Sequence, residues 1–270
     1  MSDNVVVGLD RTPCSTAGIV GDIRDKELLQ AALEGVDVVV HCASLHAPHV
    51  GIMSDRDFFD INVDATESIM RTAMGHSVGH FVYTSTTALY GDASNLDGQA
   101  SWIDETVEPL PRTIYHRTKI AAEKLLEKLS VESGIPVTVL RMSRCFPEPA
   151  DQMAVFRLHR GIDVRDVASA HKRVIQVRPP GFRRFIVSGA TPFQRRHCKE
   201  LSVDAARLLR LHVPALATEF DRRGWQLPTS IDRVYDAGLA QKELGWVSQH
   251  GFESVLAMLD DGIPEVLPVG

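Results

Sequence analysis

Tyr115-His-Arg-Thr-Lys119 sets a phenol and an ammonium four residues apart. In a helix that spacing brings both side chains to one face. An ammonium beside a phenol favours the phenolate and moves its pKa from about 10 toward the range of a general acid or base. The chemistry this allows is proton transfer to or from a hydroxyl, the step that alcohol oxidation needs. Alone, the pair fits a surface Tyr–Lys contact equally well. A second feature lies upstream, where Phe81-Val-Tyr-Thr-Ser-Thr-Thr-Ala-Leu-Tyr-Gly91 reads as a buried strand ending in a cluster of hydroxyls. The carboxyl ends of parallel strands line the ligand crevice of an open sheet, so Ser85 and Thr86 stand where a substrate oxygen would be held.

Alternating β-branched runs and helical stretches would position these groups. The pattern reads Val5-Val6-Val7, a helix around 25–34, Val36 to His41, a helix over 58–74, and the strand at Phe81-Val82-Tyr83. It continues with a helix over 115–133, the strand Val137 to Arg141 and a later strand Phe185-Ile186-Val187. Strands that are apolar throughout belong in a parallel sheet covered on both faces, so the reading is a doubly wound α/β fold. After about residue 145 the breakers Pro147, Pro149 and Pro179-Pro180-Gly181, and a helix around 198–211, suggest a smaller lobe. The division is a dinucleotide-binding domain over 1–145, with later strands from about 160–190 returning to it, and an interwoven substrate lobe over 146–270.

Strand-end hydroxyls followed about thirty residues on by Tyr-x-x-x-Lys resemble the extended short-chain dehydrogenase/reductase superfamily, in its NAD-dependent epimerase/dehydratase branch. The resemblance implies a Rossmann-like fold and a catalytic set of Thr86, Tyr115 as acid/base, and Lys119 as the lysine that activates the tyrosine and binds the cofactor ribose. It also implies cofactor contacts. Val7-Gly-Leu-Asp-Arg11 is similar to the second strand, with Asp10, followed by Arg11, at the adenosine ribose. Asp22 and Ile23 would frame adenine, while Ala43, Ser44, Asn62, Thr84, Ser85 and Met142 complete the contacts. Met142 stands where the family usually has proline. Gly161-Ile-Asp-Val-Arg-Asp-Val-Ala168 resembles a later helix start, and Tyr235-Asp to Leu244-Gly-Trp246 a late C-terminal element. NAD is the implied cofactor, with NADP disfavoured because Asp10 would repel a 2′-phosphate. Dehydratases of this branch follow the catalytic Thr with an Asp-Glu pair. Thr87-Ala88 occupies those positions here, which leaves epimerisation, or net oxidation or reduction, of a sugar, nucleotide-sugar or related secondary alcohol. The family also implies a homodimer through the helices over 58–74 and 115–133.

One departure concerns the cofactor directly. Nothing resembling Gly-x-x-Gly-x-x-Gly precedes Asp10, and Gly18-Ile-Val-Gly21 lies on the wrong side of it. Such glycines let backbone N–H groups and a helix N-terminus approach the pyrophosphate. The family's first strand also lies between its second and fourth, so without the first βα unit two sheet edges are expected to be unpaired and the sheet unstable. The expectation is that roughly thirty residues precede Met1 in the natural protein; the alternative is that the chain closes the gap by direct pairing or a borrowed strand. A second function class follows, a truncated relative without catalysis that binds a partner or senses nucleotide.

Composition narrows the rest. The 270 residues carry 29 Lys+Arg against 35 Asp+Glu, for a net charge of -6, with 44% hydrophobic residues. That is ordinary for a globular protein and gives no broad positive field for nucleic acid. Cys14, Cys42, Cys145 and Cys198 form no C-x-x-C pair and read as reduced thiols of a cytoplasmic protein. No apolar run approaches a membrane span. His41, Cys42, His46 and His49 are open to three readings, namely metal ligation, substrate or cofactor contact, and packing. No metal is assigned, because a zinc site needs four ligands at defined spacing. Arg183-Arg184 and Arg195-Arg196, with Lys199, fit an anionic substrate or a solvated face.

Overall fold

The computed structural model describes residues 4–94 and 98–269. In chain order the elements begin with β1 (Leu9–Asp10), β2 (Ile19–Val20), α1 (Lys26–Ala32), β3 (Val38–His41), α2 (Asp55–Phe59), α3 (Ala65–Gly75) and β4 (His80–Thr86). Next come β5 (Ser101–Ile103), α4 (Ile114–Ser133), β6 (Val137–Met142), α5 (Ala150–Phe156), α6 (Val164–Val177) and β7 (Phe182–Val187). The chain closes with α7 (Cys198–Val203), α8 (Ala205–His212), α9 (Pro214–Arg223), β8 (Arg233–Tyr235), α10 (Gly238–Leu244) and α11 (Phe252–Asp260). Strands and helices alternate as an α/β fold requires.

The main sheet has the order β3-β4-β6-β7, and β3 runs parallel to β4 with Val38 opposite His80 and His41 opposite Tyr83. β1 and β2 form a separate parallel pair, Leu9 opposite Ile19. Among the described residues no pairing joins β1 to β3, so the sheet is interrupted where the resemblance places the family's first strand. Val20 and Val40, apolar strand residues, are 53% and 41% exposed there. The run Val5-Val6-Val7, read from sequence as a strand, is not one. Val5 is 95% exposed, and the strand forms two residues later at Leu9–Asp10. A β-branched run becomes a strand only where a neighbour accepts its backbone groups.

Two compact units divide the chain. The first comprises Met1–Thr84, Thr113–Val139 and Arg178–Arg183, and the second Ser85–Arg112, Leu140–Val177 and Arg184–Gly270. β4, β6 and β7 each run from the first unit into the second. The first unit's core gathers Leu29 and Leu33 of and beside α1, Ile69, Met70 and Ala73 of α3, and Ala122, Leu126 and Leu129 of α4. These pack around Val39, Phe81, Tyr83, Val137 and Val139 of the strands. Fully burying each such side chain is worth about 1.5–3 kcal/mol. The second unit's core joins Met153, Ala154 and Val155 of α5 to Leu208, Leu209, Phe220, Val255 and Leu256 of the C-terminal helices. β5 and β8 pair in parallel within it, Ser101 opposite Arg233.

The helix expected over 58–74 is interrupted. A π-helical turn, Asp60–Asp64, separates α2 from α3, and it carries Asn62. Likewise the helix expected around 198–211 breaks at Asp204, whose carboxylate accepts Arg207 N and caps α8.

Candidate active site

α4 starts where Thr113 caps it, Oγ1 accepting His116 N at 3.3 Å, and ends at Gly134, whose φ of +75° suits a residue without Cβ. That start sets the rotation of the helix. Tyr115 is 9% and Lys119 2% exposed, so both face inward. Lys119 Nζ donates to Thr84 O at 2.7 Å, near the end of β4, and stands 4.0 Å from the centre of the Tyr83 ring. Burial pulls the Lys119 ammonium down to about 7, opposed by the charges of Glu123 and Cys42. Cys42 Sγ lies 3.1 Å from Thr84 Oγ1.

The loop after β3 is held by one side chain. Asn62 is fully buried, and its Oδ1 accepts Leu45 N at 2.7 Å. Its Nδ2 donates to Leu45 O at 2.9 Å and to Thr118 Oγ1 at 3.1 Å. The amide thus copies a strand partner for Leu45 and ties that loop to α4 one residue before Lys119. π-turns often accompany functional sites, and here the extra residue aims Asn62 inward. Ala43 and Ser44 lie in the loop so fixed.

His41 is buried, its Nε2 2.9 Å from Thr66 Oγ1. Burial first, and the Lys119 charge second, hold its pKa near 3, so it is neutral at physiological pH. His46 is also pushed down, by burial and then by His49 and Lys119. His46 N donates to His49 Nδ1, and the two rings meet edge-on at 4.7 Å. Among the described residues no group of three or more His, Cys, Asp or Glu is placed to hold a metal ion.

In the second unit, Ser85 is buried and Thr86 Oγ1 accepts Ala88 N at 3.1 Å, opening the turn Thr87–Tyr90. Two tyrosines fix that turn. Tyr235 Oη donates to Thr87 O at 3.2 Å, while Tyr90 Oη accepts from Arg141 at 2.8 Å and donates to Asp104 O at 3.1 Å. Met142 closes β6 in the same unit. Tyr83, Thr118 and Glu123 were not singled out from sequence, and Tyr235 only as part of the late C-terminal element. Glu123 carried a signal, since it continues the four-residue spacing of Tyr115 and Lys119.

Asp10, Arg11, Asp22 and Ile23, expected to contact a dinucleotide, all lie in the first unit. Asp10 ends β1 with Oδ1 fixed by Thr12 N at 2.8 Å, and Arg11 lies within charge range of Asp22. Asp22 is held to about 2, chiefly by its hydrogen bonds with Arg24, and Ile23 packs on the first unit's core. The pyrophosphate is another matter. A Cβ on Gly21 would come within 2.3 Å of Leu28 Cδ2, so this glycine serves packing against α1. One on Gly8 would meet Thr16 O at 2.1 Å, so that glycine serves the β1–β2 approach. Asp25 already accepts the Glu27 and Leu28 N–H groups at the start of α1. No phosphate cradle is found among the described residues.

The profile of the NAD dependent epimerase/dehydratase family matches residues 2–156. The UDP-glucose 4-epimerase of Halalkalibacterium halodurans is 28% identical over 123 residues, which is 45% of this chain and 35% of that protein. An uncharacterized UDP-glucose epimerase of Bacillus subtilis is 30% identical over 134 residues, 48% of this chain and 40% of its own length. The matched stretch therefore spans less than half of these relatives. Among solved structures, MoeE5 in complex with UDP-glucose and NAD superposes with a TM-score of 0.66 at 21% identity, covering 94% of this chain and 89% of that one. The UDP-N-acetylglucosamine 4-epimerase of Bacillus cereus gives 0.64 at 18% identity, covering 93% and 88%. At such identities the structural likeness speaks for the Rossmann-like fold. With more than half of its length matched by the family profile, the chain belongs to the NAD dependent epimerase/dehydratase family.

Proposed function

We propose that the chain is an NAD-dependent epimerase or oxidoreductase acting on a secondary alcohol of a nucleotide-sugar or related sugar. The observation that supports this most is the buried Lys119, held by Thr84 O one helical turn after Tyr115. Tyr115 is assigned the proton of the substrate hydroxyl, taken up at the phenolate Oη. Lys119 favours that phenolate through its charge and offers its remaining N–H donors to a ribose. Thr86, whose Oγ1 already accepts Ala88 N, is assigned the substrate hydroxyl as hydrogen-bond donor. Asn62 shapes the loop of Ala43 and Ser44, and Asp10 takes the adenosine ribose. Bound NAD would supply the hydride acceptor. Thr87 and Ala88 offer no carboxyl group for water elimination, so dehydration is not proposed.

The test is to incubate the purified chain with NAD and a panel of UDP- and dTDP-hexoses, following NADH absorbance and separating the sugar products. Turnover lost on Tyr115→Phe is the expected result. Turnover unchanged by that substitution overturns the assignment. A second reading, a binding or nucleotide-sensing relative, is favoured by one observation: Asp25 caps α1 and Gly21 packs on Leu28, where a phosphate would need open N–H groups. Absence of turnover across the whole sugar panel would support it.

A further inference from the structure

Lys119 lies under the face of Tyr83. Nζ is 4.0 Å from the ring centre and makes its hydrogen bond to the carbonyl of the very next residue, Thr84. Tyr83 is 1% exposed, and its ring meets His41 at a tilt, centres 5.5 Å apart. Its hydroxyl is buried without a well-formed hydrogen bond. It faces Thr66, whose own hydroxyl already serves Asn62 O and His41 Nε2. A buried hydroxyl with no firm partner is a cost, so hydrogen bonding does not account for tyrosine here. The ring does.

We propose that Tyr83 is a positioning residue for the acid/base pair, its aromatic face holding the Lys119 ammonium in a buried place where little else compensates the lost water. The proposal rests on the reading of Tyr115 and Lys119 as that pair. An aromatic face attracts a cation most when both are desolvated. The groups that meet Lys119 or act on it through charge are Tyr83 from β4, His41 and Cys42 at the end of β3, His46 in the following loop, and Glu123 on α4 itself. Of these, Glu123 and Cys42 favour the charged lysine. His41 is neutral. Without the ring, Lys119 would give up its proton more readily, and Tyr115 would lose the charge that favours its phenolate.

The test keeps the shape of the side chain. Tyr83→Phe, and the same position filled by phenylalanine carrying one, two or three ring fluorines, weaken the face stepwise without opening a cavity. Lys119 is titrated by isotope-edited NMR of its Cε, assigned with Lys119→Arg. The midpoint is expected to stay near wild type in Tyr83→Phe and to fall by about one pH unit across the fluorine series. The acid limb of alcohol oxidation should move upward in step. A lysine midpoint that ignores the fluorines overturns the proposal, whatever the activity. A midpoint that follows them in a protein without turnover supports the ring's role while contradicting the function proposed above.

Discussion

Two buried cations, Arg157 of the second unit and Lys119 of the first, are treated differently. In the second unit Arg157, 3% exposed, donates directly to the Asp163 carboxylate at 3.2 Å, and Arg165 binds the same carboxylate through two further hydrogen bonds from its side chain. In the first unit Lys119, equally buried, donates to a carbonyl and leans on an aromatic face. A buried charge costs least when a carboxylate neutralises it, which is what a structural cation needs. Lys119 is left short of that, and burial brings it close to titration at neutral pH. The contrast teaches where the chain tolerates an unfavourable charge: one helical turn after Tyr115, the phenol proposed above to be activated by it.

The sharpest way to break the contrast is to remove the phenol proposed to use one cation and the carboxylate that pairs the other. Tyr115→Phe should lower turnover by about 10²–10⁴-fold, the usual worth of a positioned acid/base, while leaving the urea midpoint nearly unchanged. Asp163→Asn should do the opposite, destabilising the second unit by about 3–5 kcal/mol in urea unfolding because Arg157 is left buried and unpaired. Equal stability of that variant and wild type would mean that Arg157 is not the structural cation described.

Lys119 also gives a pH signature. Its folded pKa, about 7, lies below the unfolded value of about 10.4. The unfolded chain therefore binds the extra proton between those values, and stability rises with pH across that window, by at most about 1.4 kcal/mol per pH unit. The burial cost is fully present below pH 7 and gone above about pH 10. Compared with Lys119→Met, wild type should gain stability on going from pH 7 to 9. Parallel pH profiles of the two would show a lysine that water reaches. The smallest effect belongs to β3, where Val40→Thr at the interrupted sheet edge should change stability by less than about 0.5 kcal/mol. Val39→Ala, one residue earlier and buried, should cost more than about 1 kcal/mol.

The same residues show how much of the molecule was legible. The helix over 115–133 was readable to within one residue because Thr113 and Gly134 bracket a long amphipathic run. The strands Val38–His41 and Val137–Met142 were readable, as Val36 to His41 and Val137 to Arg141, from short runs rich in Val and Leu. Val5-Val6-Val7 misled because strand formation depends on a neighbour, which local residue types do not reveal. The π-turn at Asn62 was invisible to a 3.6-residue period. β5 pairing with β8, more than a hundred residues away, left no local trace. In the candidate site, the spacing of Tyr115 and Lys119 made one helix face legible, and the structure buries both residues. The ring that covers Lys119 was not legible, because Tyr83 differs from any buried strand tyrosine only through where α4 packs.

The most direct measurement is a spectrophotometric titration of the tyrosines in wild type, Tyr115→Phe and Lys119→Met. The account predicts one phenol ionising well below the usual value of about 10. That step should vanish in Tyr115→Phe and move upward in Lys119→Met. An early step that survives both substitutions, or none in wild type, would contradict a phenol activated by the neighbouring ammonium.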